Sequence, residues 1–322
     1  MGPQLDLRVL QYFVTLAEEL HFGRAAARLH IAQPSLSVQI RKLEHSLGTS
    51  LFIRSSRSTA LTGSGDVLFR EALRLLAAAK HAVTLTQEAD TGVRGMLFVG
   101  FQANAAAELT PKILSAFKLR HPEVHVEMRS YDFGDPSAGL ADGSTDVAFV
   151  RPPLPAQDWL GLETLFIEPR FLVVPSSSPL AGLSEVSVGD VLNQPFVARK
   201  APEQWRDFWL ATDARDNHSV RLGAEVATVD ECFEAILSER GIAFTQASTQ
   251  RYYDRPGLVF IAVKDVPASA LSIAWRKDVS NTLIIEFVET ARIIAAFGGV
   301  PNSLNTALRA GDRPSRLGRD SR

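Results

Sequence analysis

Apolar residues in the first part of the chain recur at helical spacing. Leu7, Leu10, Val14 and Ala17, with Phe13 beside them, form a stripe that predicts an amphipathic helix over 6–19, which Asp6 can cap. Two shorter helical patterns follow. Ala25, Ala26 and Leu29 supply the inner face of one, and Leu36, Ile40 and Leu43, at i, i+4 and i+7, that of the next. Ile31 plugs the corner, Pro34 suits a first helical turn and Gly48 stops the second helix. That helix turns Gln33, Ser35, Ser37, Gln39 and Arg41 outward, a polar and net positive face of the kind that enters a DNA major groove. For 22–41 alone, a helical hairpin with a solvated face is the plainer alternative. Residues 51–62 read as two short strands around a serine-rich turn, placed as a wing would be. Arg54 and Arg57 there reach phosphates or a minor groove, or simply solvate.

Residues 63–91 predict one long helix. Leu68, Ala72, Leu75, Ala79, Ala82 and Thr86 follow a 4-3-4-3-4 spacing, a heptad seam for a second copy or for the helix's own domain. From 94 onward the pattern changes to short apolar runs alternating with helical stretches. Strands are expected near 96–101, 124–129, 146–150, 171–174, 196–199, 219–225, 242–244, 259–263 and 271–275. Helices are expected at 105–119, 136–141, 203–212, 229–239 and 281–297. Such alternation predicts parallel α/β sheets, and its extent predicts two lobes. One comprises 92–161 and 266–300; the other, 162–265, is inserted into it. Residues 301–322, rich in Arg, Ser and Gly, read as a disordered tail.

Charge sharpens this division. Residues 1–62 hold seven Arg/Lys against four Asp/Glu, and the remainder 27 against 32. A basic head on an acidic body is what a DNA-binding module joined to something else shows. The single cysteine, Cys232, excludes an intrachain disulfide and a multi-cysteine metal site. Asp6, Arg8, Glu18 and Glu19 break 5–20 as a signal peptide, and no apolar run is long enough to span a membrane. These features together predict a cytoplasmic protein.

Residues 5–65 resemble the N-terminal winged helix-turn-helix of LysR-type transcriptional regulators. The likeness runs without a gap through Phe13, Ala17, Phe22, Ala25-Ala26, Leu29, Gln33-Pro34, Leu36-Ser37, Gln39-Ile40, Leu43-Glu44, Gly48, Leu51-Phe52, Arg54, Leu61-Thr62 and Gly65. His21 through Ala26, with Ile31 through Pro34, is similar to the subgroup that often controls aromatic-compound catabolism. The resemblance implies a winged helix-turn-helix over 1–62, a linker and dimerisation helix over 63–91, and a two-lobe, periplasmic-binding-protein-like effector domain over 92–300. It implies double-stranded promoter DNA, a second copy (dimer or tetramer) and a small-molecule effector as partners, and it admits RNA polymerase. It also implies that Gln33, Pro34, Ser35, Ser37, Gln39 and Arg57 lie at the DNA. Two positions depart from the pattern: Val38 where many relatives carry Arg, and Ala32 where many carry a capping Ser.

Ligands of open α/β sheets sit at the carboxyl ends of strands. Gln102 and Asn104 follow the first strand, and similar positions in the family contact effectors; Asn104 is equally suited to helix capping. Phe133 occupies the loop of the next strand. Arg151 follows the strand at 146–150 and can hold an effector carboxylate or pair with an internal acid such as Asp146. Phe196 and Val197 line the second lobe's wall, and Thr228 opens a helix facing the cleft. Cys232, one turn into that helix, is expected as a buried inert thiol. No phosphate loop, G-x-S-x-G elbow or His/Cys/Asp cluster at metal spacing occurs, so neither an enzyme nor a metal or cofactor is expected. His121 and His125 read as structural or solvated. The reading is therefore a regulator whose DNA binding a small anionic or aromatic metabolite modulates. The alternative is a small-molecule binding protein whose N-terminal helices contact other proteins.

Overall fold

The computed structural model describes residues 5–54, 59–88, 95–154, 158–279 and 281–297. Arg57 and the tail at 301–322 lie outside them. The chain divides into two units, Met1–Met96 with Gly139–Asp146, and Leu97–Ala138 with Val147–Arg322.

In the first unit, α1 (Leu7–Glu19), α2 (Phe22–Arg28) and α3 (Gln33–Leu47) are followed by β1 (Phe52–Arg54), β2 (Thr59–Leu61) and α4 (Gly63–Glu88). Asp6 caps α1 by accepting from Arg8 N–H at 2.8 Å. His21 caps α2 through Nδ1, which accepts from Gly23 and Arg24 N–H at 3.1 and 3.2 Å. Ala32 gives α3 no side-chain cap, and Gly48 ends it at φ 67°. Leu10, Phe13, Ala25, Leu36 and Ile40 are among the fully buried residues of one core. The seam of α4 divides. Leu68 and Ala72 join that core, while Leu75 and Val83 are 42% and 56% exposed.

Strands β1 and β2 pair antiparallel, Phe52 opposite Leu61 and Arg54 opposite Thr59. The Glu44 carboxylate, projecting from α3, fixes this hairpin. It accepts from Leu51 and Phe52 N–H at 2.9 and 3.2 Å and from Arg54 Nη2 at 2.6 Å. Gly65 is required where α4 begins, because a Cβ there would meet the Leu51 carbonyl oxygen at 2.2 Å.

The second unit has two lobes. The first is the sheet β4-β3-β5-β13-β6, built from β3 (Met96–Gln102), β4 (His125–Tyr131), β5 (Val147–Val150), β6 (Leu160–Glu168) and β13 (Ser269–Arg276). Helices α5 (Leu109–Arg120) and α9 (Thr282–Phe297) pack on it through Phe117 and Phe287. The second is the sheet β11-β7-β12-β8, from β7 (Arg170–Pro175), β8 (Glu185–Val186), β11 (Ala243–Gln246) and β12 (Leu258–Val263). Beside it lie the parallel pair β9 (Phe196–Arg199) and β10 (Leu222–Val226), with α6 (Glu203–Leu210), α7 (Val229–Leu237) and the short α8 (Ser248–Tyr252).

Several expectations change. The sheets are mixed rather than parallel: β3 and β5 run parallel, but β13 is antiparallel to β5 and β6, and β7 to β11 and β12. The chain crosses between lobes twice without a helix, from β6 to β7 and from β12 to β13. The first crossing is at Pro169 rather than near 162, because β6 continues to Glu168, paired with Ser269. Residues 136–141 form turns, and α5 begins at Leu109 rather than 105.

Replacing Glu44 by alanine removes a charged acceptor from two backbone N–H groups and a guanidinium. The first unit is expected to lose about 2–3 kcal/mol. All four tryptophans, Trp159, Trp205, Trp209 and Trp275, belong to the second unit. In differential calorimetry the first unit's transition should therefore fall while the tryptophan fluorescence melt stays unchanged.

Candidate functional site

Two regions gather chemistry. The first is the outer face of α3. Gln33, Pro34, Ser35 and Arg41 are exposed, and Ser37 and Gln39 half-buried, while Leu36, Ile40 and Leu43 anchor the opposite face in the core. Arg41 Nη2 lies 3.3 Å from Ser37 Oγ and its Nε donates to Ser37 O, so the cation rests along its own helix. Val38 is 44% exposed and shares a shallow concavity with Arg41, Lys42 and His45. Arg54 corrects an expectation. It is bound to Glu44 and lies over the Phe22 ring at 5.1 Å, so it holds hairpin to helix rather than presenting an unpaired charge.

The second region is a cavity between the lobes of the second unit. It spans about 630 Å³ of atom-free space including its open mouth. Polar bonds close the lobes around it. Asn104 Nδ2 donates to Ser248 Oγ at 3.2 Å, Phe133 N–H to Ala227 O at 2.8 Å, and Trp205 Nε1 to Arg151 O at 2.8 Å. Arg251 pairs with Glu108 at 2.6 Å, a contact that holds the Glu108 carboxyl below its usual range against the opposing effect of burial.

Of the expected effector residues, Gln102, Phe133 and Arg151 line this cavity. The Gln102 amide is engaged, donating to Asp132 and Asp135 carbonyls at 2.6 and 3.0 Å. Arg151 is buried and bound to an internal acid, which is Glu168 at 2.6 Å rather than Asp146. Four others are placed elsewhere. Asn104 serves as an interlobe tie. Phe196 packs on Phe244 at 5.2 Å in the core beneath the sheet, and Val197 is buried in the adjoining core. Thr228 caps α7, its Oγ1 accepting from Glu231 N–H at 3.2 Å. The physical reason is shared: each side chain is already committed, Asn104 to Ser248 and Gln246, Phe196 and Val197 to packing, and Thr228 to a backbone N–H.

The cavity contains residues that the sequence reading passed over. Arg199, the last residue of β9, is 7% exposed and stacks on Trp209, Phe133 and Trp205 at 4.2, 5.1 and 5.6 Å. Its position at a strand's carboxyl end obeys the rule that selected Arg151. Trp205 and Trp209, four apart on α6, form an aromatic wall. Burial above all, then Arg170 and Arg151 nearby, lowers the Arg199 guanidinium to about 10, with Cys232 acting the other way; the group is charged at neutral pH. The Cys232 thiol is pushed up to about 11 by burial, against Arg199, and so is uncharged there. The site thus presents fixed positive charge, aromatic faces and no nucleophile in its ionised form.

Comparison with known proteins agrees with this architecture. Residues 7–66 match the family model of the bacterial regulatory helix-turn-helix protein, lysR family, and residues 90–292 that of the LysR substrate binding domain. The chain is 29% identical over 288 residues to the HTH-type transcriptional regulator AlsR of Bacillus subtilis (strain 168), covering 88% of this chain and 94% of that protein. It is 30% identical over 293 residues to the Hca operon transcriptional activator HcaR of Escherichia coli (strain K12), covering 88% and 96%. Among solved structures, CbnR, a LysR family transcriptional regulator, shares the fold with a TM-score of 0.59 at 22% identity, over 90% of this chain and 99% of that one. Full-length BenM aligns with a TM-score of 0.50 at 26% identity, over 91% and 98%. The chain belongs to the LysR family of transcriptional regulators, with a DNA-binding helix-turn-helix followed by an effector-binding domain.

Proposed function

We propose that the chain reads promoter DNA through Gln33, Pro34, Ser35, Ser37, Gln39 and Arg41, with Arg57 reaching the backbone or minor groove. A small anionic or aromatic metabolite in the interlobe cavity shifts that binding. One observation carries the reading: both lobes wall a buried cavity that holds cations and aromatic rings. Occupying it must alter the balance between closed and open lobes, and linkage then alters DNA affinity if the two arrangements differ in it. The aromatic wall supports the aromatic-catabolism subgroup. Exposed Leu75 and Val83 on α4 support self-association as a dimer or tetramer through 63–91. RNA polymerase is the further partner of such a regulator. No helix among the described residues is long and apolar enough to cross a membrane, and a reader of chromosomal DNA acts in the cytoplasm.

Four outcomes test this reading. Log affinity for DNA upstream of the chain's own gene should fall with log salt by about 0.9 per phosphate neutralised. Gln33→Ala and Ser37→Ala should each reduce discrimination between sequences by roughly 1–3 kcal/mol, measured by competition mobility shift; unchanged discrimination would put the reading face elsewhere. Val38→Arg should tighten binding to all sequences alike and steepen the salt dependence by about one contact. A metabolite panel added to the same DNA titration should contain at least one acid or aromatic that changes the affinity, about fivefold or more. If nothing in the panel moves either affinity or melting temperature, the sensor reading fails.

A further inference from the structure

Arg199 raises a question of charge. A guanidinium withdrawn from water is strongly disfavoured unless an anion or a full set of acceptors compensates it. Arg199 has neither. Its one side-chain hydrogen bond among the described residues runs from Nη2 to the Phe244 carbonyl at 3.0 Å, and Nε is buried with no partner. The ring against its face, Trp209, has the same defect, since the buried Nε1 also lacks an acceptor. Two side chains stacked at 4.2 Å and lining one cavity thus each carry one buried donor without an acceptor, Arg199 Nε and Trp209 Nε1.

The neighbouring charges do not repair this. Glu168 is the buried acid of this region, and Arg151 already holds it at 2.6 Å. Arg170, 2% exposed, donates to the Pro267 and Phe208 carbonyls and adds further positive charge. Of the two cations that line the cavity, Arg151 is paired with an acid and Arg199, among the described residues, is not.

We infer that Arg199 is the anion receptor of the cavity, binding the carboxylate of a small monocarboxylic acid whose flat apolar body lies along the aromatic wall, with Trp209 Nε1 as a second donor. This rests on the sensor reading above and names its ligand class. One anionic group suffices, because Arg151 is occupied; a dicarboxylate would leave its second charge without a cation. Three rings lie against the guanidinium, and its Nε has no competing acceptor among the described residues, which leaves that donor for a ligand.

The test uses the full chain, with benzoate as probe and benzamide as its uncharged isostere, titrated by calorimetry. Benzoate should bind at least about 30-fold more tightly than benzamide, and Arg199→Met should remove that advantage, as loss of a buried charge partner does. Arg199→Lys keeps the charge without the planar fork and should restore part of it. The ligand-free melting temperature of Arg199→Met should be no lower than that of the unaltered chain. A residue serving only to hold the fold would lower it. Equal binding of benzoate and benzamide, undiminished benzoate binding by Arg199→Met, or a fall in its ligand-free melting temperature would each overturn the assignment. If neither benzoate nor phenylacetate binds while an uncharged metabolite shifts DNA affinity, this inference fails and the sensor reading stands. If no metabolite shifts DNA affinity, the sensor reading itself has failed.

Discussion

The Glu168 carboxylate sits where the two lobes of the second unit meet, and it is satisfied from both sides. From the first lobe Arg151 donates to it at 2.6 Å; from the second, the Ser248 N–H and hydroxyl donate at 2.6 and 3.0 Å. It is the last residue of β6, one position before the chain crosses to β7, and its side chain has no solvent contact. A carboxylate in that position is tolerable only while all these donors remain in place. Parting the lobes there would take both Ser248 donors from the buried acid and leave it on Arg151 alone. The crossing is therefore the fixed point about which the rest of the domain is arranged.

That commitment shapes the cavity. Because Glu168 is spent on Arg151 and on the backbone of α8, no acid remains for Arg199. Nearer the rim, the pair Glu108 with Arg251 involves exposed groups that water can replace at small cost. The lobes are thus held firmly at the crossing and weakly at the mouth. A mouth closed by exchangeable contacts over an interior with unsatisfied donors can admit a ligand without breaking the core.

The sequence displayed the first unit almost completely, since amphipathic stripes, an Asp cap, a helix-stopping glycine and a polar outer face are all local signals. It showed less of the hairpin's attachment, because Glu44 reads as one more polar residue on a helix until the hairpin folds back on it. In the second unit, failures have identifiable causes. The alanines at 105–107 favour a helix, yet Ala103, Ala105 and Ala107 adopt φ of 49°, 48° and 51° in successive turns, where tertiary packing overrides propensity. β6 escaped notice because Leu165 bulges between Thr164, opposite Ser272, and Phe166, opposite Leu271, which breaks the alternation of a strand. Phe196 and Val197 were misplaced for another reason. Every residue of β9 is buried, so periodicity does not tell which face meets the cavity. Arg199 stood at that strand's end, and the aromatic pair Trp205 and Trp209 stood at helical spacing. Both were visible signals, but only the fold brings them together.

The two regions also divide the physics of recognition. The face of α3 is exposed and carries groups that exchange water for base edges and phosphates at little conformational cost, so its affinity is salt-sensitive and its register comes from the core beneath. The cavity does the reverse. Its donors are already desolvated in the closed form, so a ligand that supplies the missing negative charge gains electrostatic attraction without bearing their dehydration. The same unpaired charge disfavours closure when the cavity is empty. An anion therefore binds the closed lobes better than the open ones by whatever energy that unpaired charge represents, each factor of ten corresponding to about 1.4 kcal/mol. Differential affinity of this kind is the whole requirement for a conformational signal, and here it arises from a cavity-lining cation that no acid among the described residues pairs with.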